Sequence, residues 1–372
     1  MQISRPVRVA IVGTGGIAEN SHVPALQAQG DRVRLVAAVD VDTARLAAFQ
    51  TRHRIPAGYS SVADLLAAGS PDLVAVCTPP ALHVDQVVQC LRAGAWVLVE
   101  KPPCLSLAEF DRIQAAERAG GPYCGVVFQH RFGAAARYFG SLIASGALGR
   151  PLVAICDTTW YRDRAYYEVP WRGRWETEGG GPTMGHGIHQ MDLMLALLGE
   201  WREVRAMAGR LDRDVRTEDV SMAMVRFANG ALASVVNSVL SPREESRLRF
   251  DFTRATVELT HLYGYDNTHW RCTPAPGYEV DWRPPPTDHR SSHADQLALL
   301  LDAMDRGERP PVSGLDVRTT LELVTALYRS AFTGQPVRRD ELGANDPFYH
   351  HLHGGTPGWA PEPTALGEGT QA

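Results

Sequence analysis

Lys101 is the one lysine in a chain with 37 lysines and arginines, and it closes the apolar run Val97-Leu98-Val99-Glu100-Lys101-Pro102-Pro103. Arginine stays protonated in proteins, whereas a desolvated ammonium beside another positive charge has a lowered pKa and can act as acid or base, so this position points to proton exchange. The alternative is one survivor of a compositional drift toward arginine, and other motifs must decide. Gly13-Thr14-Gly15-Gly16-Ile17-Ala18 follows a β-branched run and precedes a helical stretch, the context in which G-x-G-x-x-A binds a dinucleotide. Gly13 permits the tight turn, Gly15 lets the backbone approach a pyrophosphate, Gly16 and Ile17 complete the cofactor-contacting segment, and Ala18 allows close helix–strand packing. Asp40, 22 residues past Ala18, offers a carboxylate to the adenosine ribose hydroxyls. Its charge repels a 2′-phosphate and favours NAD; nearby Arg45 keeps NADP open.

Two further segments carry candidate chemistry. His189 opens a Met- and Leu-rich helical stretch, where it is either a satisfied structural histidine or a working one. Tyr161-Arg162-Asp163-Arg164-Ala165-Tyr166-Tyr167 and Trp171-Arg172-Gly173-Arg174-Trp175 combine aromatic faces, which stack on the C–H surfaces of sugar rings, with guanidinium donors for hydroxyls or carboxylates. The same loop could instead pack on a partner subunit. His350-His351-x-His353 has no second ligand cluster beside it, so no metal site is expected.

These residues need elements to hold them. Strands at 7–12, 33–40, 72–77, 96–100 and 123–128 alternate with helices at 42–53, 82–93 and from Ser106, and Ser61/Asp64 and Ser106/Glu109 have capping-box spacing. That alternation predicts a doubly wound parallel sheet over residues 1–128. Beyond about 150 the pattern becomes successive strands, at 152–161, 203–210, 219–228, 231–240, 246–253 and 255–260, with Asn229-Gly230 as a hairpin turn. One helical insert at 183–198 and helices near 292–306 and 316–332 complete an α+β domain over 129–335, built on a mostly antiparallel open sheet. Residues 336–372 read as a Gly/Pro/His-rich tail, partly disordered.

At 372 residues the chain suits two domains, and 44% hydrophobic with 21% charged residues describes a globular protein. A net charge of −5 gives no reason to expect nucleic acid or an anionic membrane, so a small-molecule partner is favoured. Six cysteines without C-x-x-C spacing, no leader pattern and no run of membrane-spanning length point to the cytoplasm.

Five motifs in order, Gly13-x-Gly15-Gly16-Ile17-Ala18, His22-Val23-Pro24-Ala25-Leu26, Thr78-Pro79-x-x-x-His83, Glu100-Lys101-Pro102, and Gly179-Gly180-Gly181 leading to His189-x-x-Asp192, give the chain a specific likeness. It resembles the Gfo/Idh/MocA oxidoreductases, the family of glucose–fructose oxidoreductase and inositol dehydrogenase, over about residues 5–335. The resemblance implies a Rossmann domain followed by the α+β domain. It implies that Lys101 hydrogen-bonds the reacting hydroxyl or carbonyl, that Thr78, Pro79, His83 and Glu100 line the nicotinamide side of the cofactor site, and that His189 is catalytic or positions substrate. Gln129 and Arg131 become substrate contacts with Trp171, Arg172 and His186, and Asp192 a structural support. One departure stands out: many relatives carry Asp or Asn four residues before the histidine, where this chain has Gly185 followed by His186. The function implied is NAD(P)-dependent hydride transfer to or from a sugar or polyol, with Lys101 and His189 handling the proton. A redox-neutral glycoside-cleaving enzyme and a non-catalytic nucleotide sensor are the alternatives. Relatives pair through the open face of the second sheet, which implies a homodimer or homotetramer.

Overall fold

A computed structural model describes residues 5–287 and 290–355, and the chain divides into two compact units. Of the described residues, the first comprises 5–104, 108–133 and 291–318; the second comprises 105–107, 134–287, 290 and 319–355. Residues 291–318, which fall within the segment 129–335 expected to form the second domain, belong to the first unit. The reason is packing, because Leu297, Leu300 and Leu301 on the helix His293–Arg306 join Val9, Ile11, Leu73 and Leu98 in one buried core.

In the first unit β1 (Val7–Val12), β2 (Val33–Val39), β3 (Ala57–Tyr59), β4 (Leu73–Val76), β5 (Trp96–Val99) and β6 (Cys124–Val126) form a wholly parallel sheet in the order β3-β2-β1-β4-β5-β6. All four residues of β4 and the last three of β5 are buried, as strands covered on both faces must be. β3 is the strand of this sheet that the sequence pattern did not reveal, being three residues with little apolar content. The order places the carboxyl ends of β1, β2, β4 and β5 along one edge of the sheet, where doubly wound folds bind nucleotides.

The second unit contains β7 (Pro151–Tyr161), β8 (Trp201–Gly209), β9 (Val220–Phe227), β10 (Leu232–Ser238), β11 (Leu240–Phe252), β12 (Ala255–His261), β13 (Trp270–Pro274) and β14 (Val337–Arg338). Their order is β13-β12-β11-β7-β10-β9-β8-β14, antiparallel except for the β7–β10 pair. β9 alternates buried and exposed positions, so one face is solvated. That face carries Met207, Met222 and Met224, exposed to 79%, 56% and 67%, with Met207 opposite Met222 in the ladder. The expected helix at 183–198 is two pieces, Pro182–Gly185 and Ile188–Leu198, interrupted at His186-Gly187. Gly187 lies against β10: a Cβ there would stand 1.8 Å from Asn237 Oδ1.

Within the expected tail, residues 336–355 include β14, which pairs with β8, and the short helix Pro347–His350; the remainder of that tail lies outside the described residues. No described helix is long and apolar enough to cross a membrane.

Candidate functional site

The turn after β1 has the shape a dinucleotide requires. Gly13 adopts φ +88°, and a Cβ there would stand 2.9 Å from the Cys77 carbonyl carbon and 3.0 Å from Thr78 Cγ2, so a side chain is excluded. At Gly15 a Cβ would meet nothing within 4 Å, which leaves the room a pyrophosphate needs. Gly16 is similarly open, its nearest neighbour being Asn20 Nδ2 at 3.8 Å, and Ile17 leads into the wide helical turn Ala18–His22. Asp40 directly follows β2 and is buried. Its Oδ2 accepts from Thr14 N–H at 2.9 Å, Thr14 Oγ1 at 2.7 Å and Arg45 Nε at 3.0 Å, and its Oδ1 accepts from Asp42 N–H at 2.9 Å and Arg45 Nη2 at 2.6 Å. Burial works against the charge, but Arg45 and the backbone donors outweigh it and hold the carboxyl well below the usual range. These residues fit the dinucleotide: an open glycine cradle and an ionised carboxylate at the next strand end. Thr14, which the motif treats as a variable position, is part of the carboxylate's support.

The ends of β4 and β5 are joined to each other. His83, fully buried, has Nε2 at 2.7 Å from the Thr78 carbonyl and Nδ1 at 2.8 Å from the Pro102 carbonyl, so one ring connects the loop after β4 with the loop after β5. Burial lowers its pKa, against those two carbonyls, which favour the charged form. Thr78 Oγ1 donates to Gln86 Oε1 at 2.6 Å, and Pro79 leads into the turn Pro80–Leu82. Glu100 is buried between His22 and His293, and its Oε2 accepts the backbone N–H of Lys101 at 3.2 Å. Gln129 is buried after β6, while the Arg131 guanidinium lies 3.6 Å from Asp316. The first unit thus brings Gly13, Gly15, Asp40, Thr78, His83, Glu100 and Lys101 to the carboxyl ends of four strands.

Among the described residues, His22, Glu100 and His293 form a buried cluster whose ligand-type atoms lie within 4.8 Å of one another, a feature that sequence reasoning missed because 193 positions separate Glu100 from His293. Both imidazole Nε2 atoms approach the same carboxylate oxygen at hydrogen-bonding distance, 2.8 and 2.9 Å.

The second unit holds a separate constellation. His189 is buried near the start of the helix Ile188–Leu198, its ring 5.8 Å from that of Tyr263. Asp192 accepts from Thr320 Oγ1 at 2.9 Å, a structural bond. His186 lies edge-on to Trp160 at 5.1 Å, with Nε2 at 3.3 Å from Tyr166 Oη. Arg172 sits over Tyr166 at 3.9 Å and Trp171 at 4.3 Å, bonds Tyr166 Oη, and pairs with Glu178 at 3.2 Å. The structure gathers Trp171, Arg172 and His186 around Tyr166. It adds Glu178, which the sequence reading passed over because it lies in a short polar helix, Trp175–Glu178. Glu178 is buried, its Oε2 accepts the Gly173 N–H at 2.6 Å, and its Oε1 lies 3.7 Å from where a Gly185 Cβ would be. A carboxylate thus stands beside the position where relatives carry Asp or Asn.

The Gly179–Gly181 run is glycine for steric reasons. A Cβ on Gly180 would stand 2.2 Å from Tyr328 Oη, and one on Gly181 would stand 1.9 Å from the Glu218 carbonyl oxygen. Glu218 is buried and accepts from Gly181 N–H at 3.0 Å, Thr183 N–H at 3.1 Å and Tyr328 Oη at 2.8 Å. Burial prevails over these donors and moves its carboxyl up to about 7.

Comparison with known proteins agrees with this geometry. Residues 7–128 match the oxidoreductase family with an NAD-binding Rossmann fold, and residues 137–258 match the GFO/IDH/MocA C-terminal domain. D-glucoside 3-dehydrogenase of Escherichia coli is 27% identical over 71% of this chain and 80% of its own length. Inositol 2-dehydrogenase of Acidothermus cellulolyticus is 32% identical over 63% of this chain and 67% of its own. The WlbA dehydrogenase of Bordetella pertussis, solved with NADH and UDP-GlcNAcA, superposes with a TM-score of 0.79 at 28% identity, covering 90% of this chain and 99% of that one. With both domains matched in order and the nucleotide cradle in place, the chain belongs to the Gfo/Idh/MocA oxidoreductases and is an NAD-binding enzyme of that family.

Proposed function

We propose that this enzyme transfers a hydride between NAD and a hydroxyl-bearing or carbonyl carbon of a sugar or polyol, with Lys101 and His189 handling the proton. One observation carries the reading: the only lysine follows β5, in the same unit and on the same strand-end edge as the Gly13–Ala18 cradle and Asp40. NAD, when bound, supplies the hydride acceptor or donor. The chain's own residues do the remainder. Gly13, Gly15 and Gly16 leave the backbone free to approach the pyrophosphate, and Asp40 accepts from the ribose. In the oxidative direction Lys101 Nζ takes the hydroxyl proton, assisted by His189, and in reduction the same groups return it. Gln129, Arg131, Trp171, Arg172 and His186 hold the substrate; in the second unit, Arg172 and His186 offer donors.

The partner of this chain is a small molecule and further copies of itself, a reading supported by the exposed methionine-bearing face of the second sheet. Five of the six cysteines are buried, a placement typical of reduced thiols, which supports a cytoplasmic setting.

Following nicotinamide absorbance while purified protein meets NAD or NADP and a panel of free sugars, inositols, sugar acids and aryl glycosides tests the proposal. Net reduction with one of them bears it out. Release of an aglycone with no net change would replace it with redox-neutral glycoside cleavage, and no reaction with any compound would leave a nucleotide sensor as the better reading.

A further inference from the structure

Glu100 is the last residue before Lys101, and its carboxylate is the meeting point of three distant chain segments. His22 comes from the helical turn Ala18–His22 that follows β1, and His293 is the first residue of the helix His293–Arg306, which Ser292 caps. Their Nε2 atoms reach Glu100 Oε1 at 2.8 and 2.9 Å, and the two rings meet edge-on at 4.9 Å. The three side chains are exposed to only 2%, 7% and 5% for His22, Glu100 and His293. The other oxygen, Oε2, faces the Lys101 backbone N–H at 3.2 Å.

A buried carboxylate is costly, and a buried ion network of this kind is seldom retained for stability alone, since apolar side chains of similar volume serve as well. Fixing geometry is the better-attested use. Burial pushes Glu100 up, but the His22 and His293 donors outweigh it and keep the carboxylate ionised. For His22, burial opposes the charge and the neighbours that overcome it are Cys77 and Glu100; because burial keeps Cys77 a thiol, the carboxylate is the charge that raises His22. A shared metal ion would sit about 2.0–2.1 Å from each imidazole nitrogen. Here both nitrogens point at one oxygen, as hydrogen-bond donors do.

We propose that His22 and His293 are positioning residues: by clamping the Glu100 carboxylate they fix the backbone at Lys101 and hence where its amine stands. The proposal rests on the reading of Lys101 as the proton-handling group, but its test does not need a substrate. Because the chain has one lysine, an amine-acylating reagent reports on Lys101 alone, with the N-terminal amine resolved as a separate peptide by mass spectrometry. His293→Leu and Glu100→Gln should each shift the acylation rate of Lys101 about tenfold, in the same direction, the size that one unit of pKa or its equivalent makes. The double variant should shift it no further, since the histidine acts through the carboxylate. His293→Gln, which keeps a side-chain N–H, should return the rate toward that of the parent. Should His293→Leu not fold, His22→Gln set against His22→Leu poses the same question. With the substrate found by the panel, kcat should follow the same order while KM changes little. Unchanged acylation in the folded variants, independent and multiplicative effects in the double variant, or one equivalent of tightly bound metal in the native protein would overturn the proposal. If the panel yields no turnover, the sugar reading falls, and acylation still decides whether the clamp exists.

Discussion

Arg45 grips Asp40 through two nitrogens, Nε to Oδ2 at 3.0 Å and Nη2 to Oδ1 at 2.6 Å, while 48% of the Arg45 side chain stays exposed. The carboxylate that would accept ribose hydroxyls therefore also holds the guanidinium nearest to it. Replacing Asp40 with Ser removes the acceptor and the repulsion of a 2′-phosphate and releases Arg45 to meet one. The ratio of kcat/KM with NAD to that with NADP should fall by at least about tenfold, or 1.4 kcal/mol. An unchanged ratio in Asp40→Ser would mean that the ribose is not read at this strand end.

Lys101→Met removes the proton-carrying group and keeps an unbranched chain of similar length. Turnover should fall by roughly 10²–10⁴, the range for loss of a general acid or base. NAD affinity, followed by protein fluorescence, should remain close to that of the parent, because the cradle at Gly13–Ala18 and Asp40 is untouched. Full turnover in this variant would remove Lys101 from the mechanism.

The first unit was legible because its signals are local. The glycine turn with Asp40 at the next strand end, the apolar runs of β4 and β5, and the Ser61 cap of the helix Val62–Ala68 are each written within a few residues. What escaped notice depends on distant partners. The return of residues 291–318 to the first core, the bond from His293 to Glu100, and the opposition of Asn237 to Gly187 each link positions that no periodicity joins. The break at His186-Gly187 shows the point well: methionine and leucine at helical spacing describe the helix on its far side, while the need for glycine at the break is set by a side chain on β10. Glu178 was hidden for a related reason, since a glutamate in a polar loop reads as solvated until the fold buries it.

Glu178 should matter to catalysis because it is the buried carboxylate beside Gly185 and the partner of Arg172. Glu178→Gln keeps the volume and removes the charge that holds Arg172 over Tyr166, and kcat/KM should drop by about tenfold or more, as for loss of a charge-assisted hydrogen bond. Gly185→Asp, which restores the residue type many relatives carry, should not help the parent enzyme. It would set a second carboxylate against Glu178 Oε1, a like-charge pair in a buried place, and cost on the order of 1–3 kcal/mol of stability by chemical denaturation. Combining Gly185→Asp with Glu178→Gln should recover much of that loss. If the two substitutions add independently, the two positions do not share one site.

Glu218 makes the fold sensitive to pH. It is buried behind the Gly179–Gly181 run, and burial, against the pull of Tyr328, Thr183 and Gly181, raises its carboxyl from 4.5 to about 7. Between those values the folded protein holds a proton that the unfolded chain has already released. Stability from this group is therefore fully present below pH 4.5, declines as pH rises toward 7, and is lost above it, by an amount on the order of 3 kcal/mol. Measured by urea denaturation at pH 5 and pH 8, the parent protein should lose more stability over that interval than Glu218→Gln, whose side chain does not ionise. Asp40 works in the opposite direction: its lowered pKa contributes stability above about 4 that is lost only in stronger acid, so it does not mask the difference between pH 5 and pH 8. Equal slopes in the parent and in Glu218→Gln would show that the Glu218 carboxyl titrates normally, and that the donors at Gly181, Thr183 and Tyr328 compensate fully for its burial.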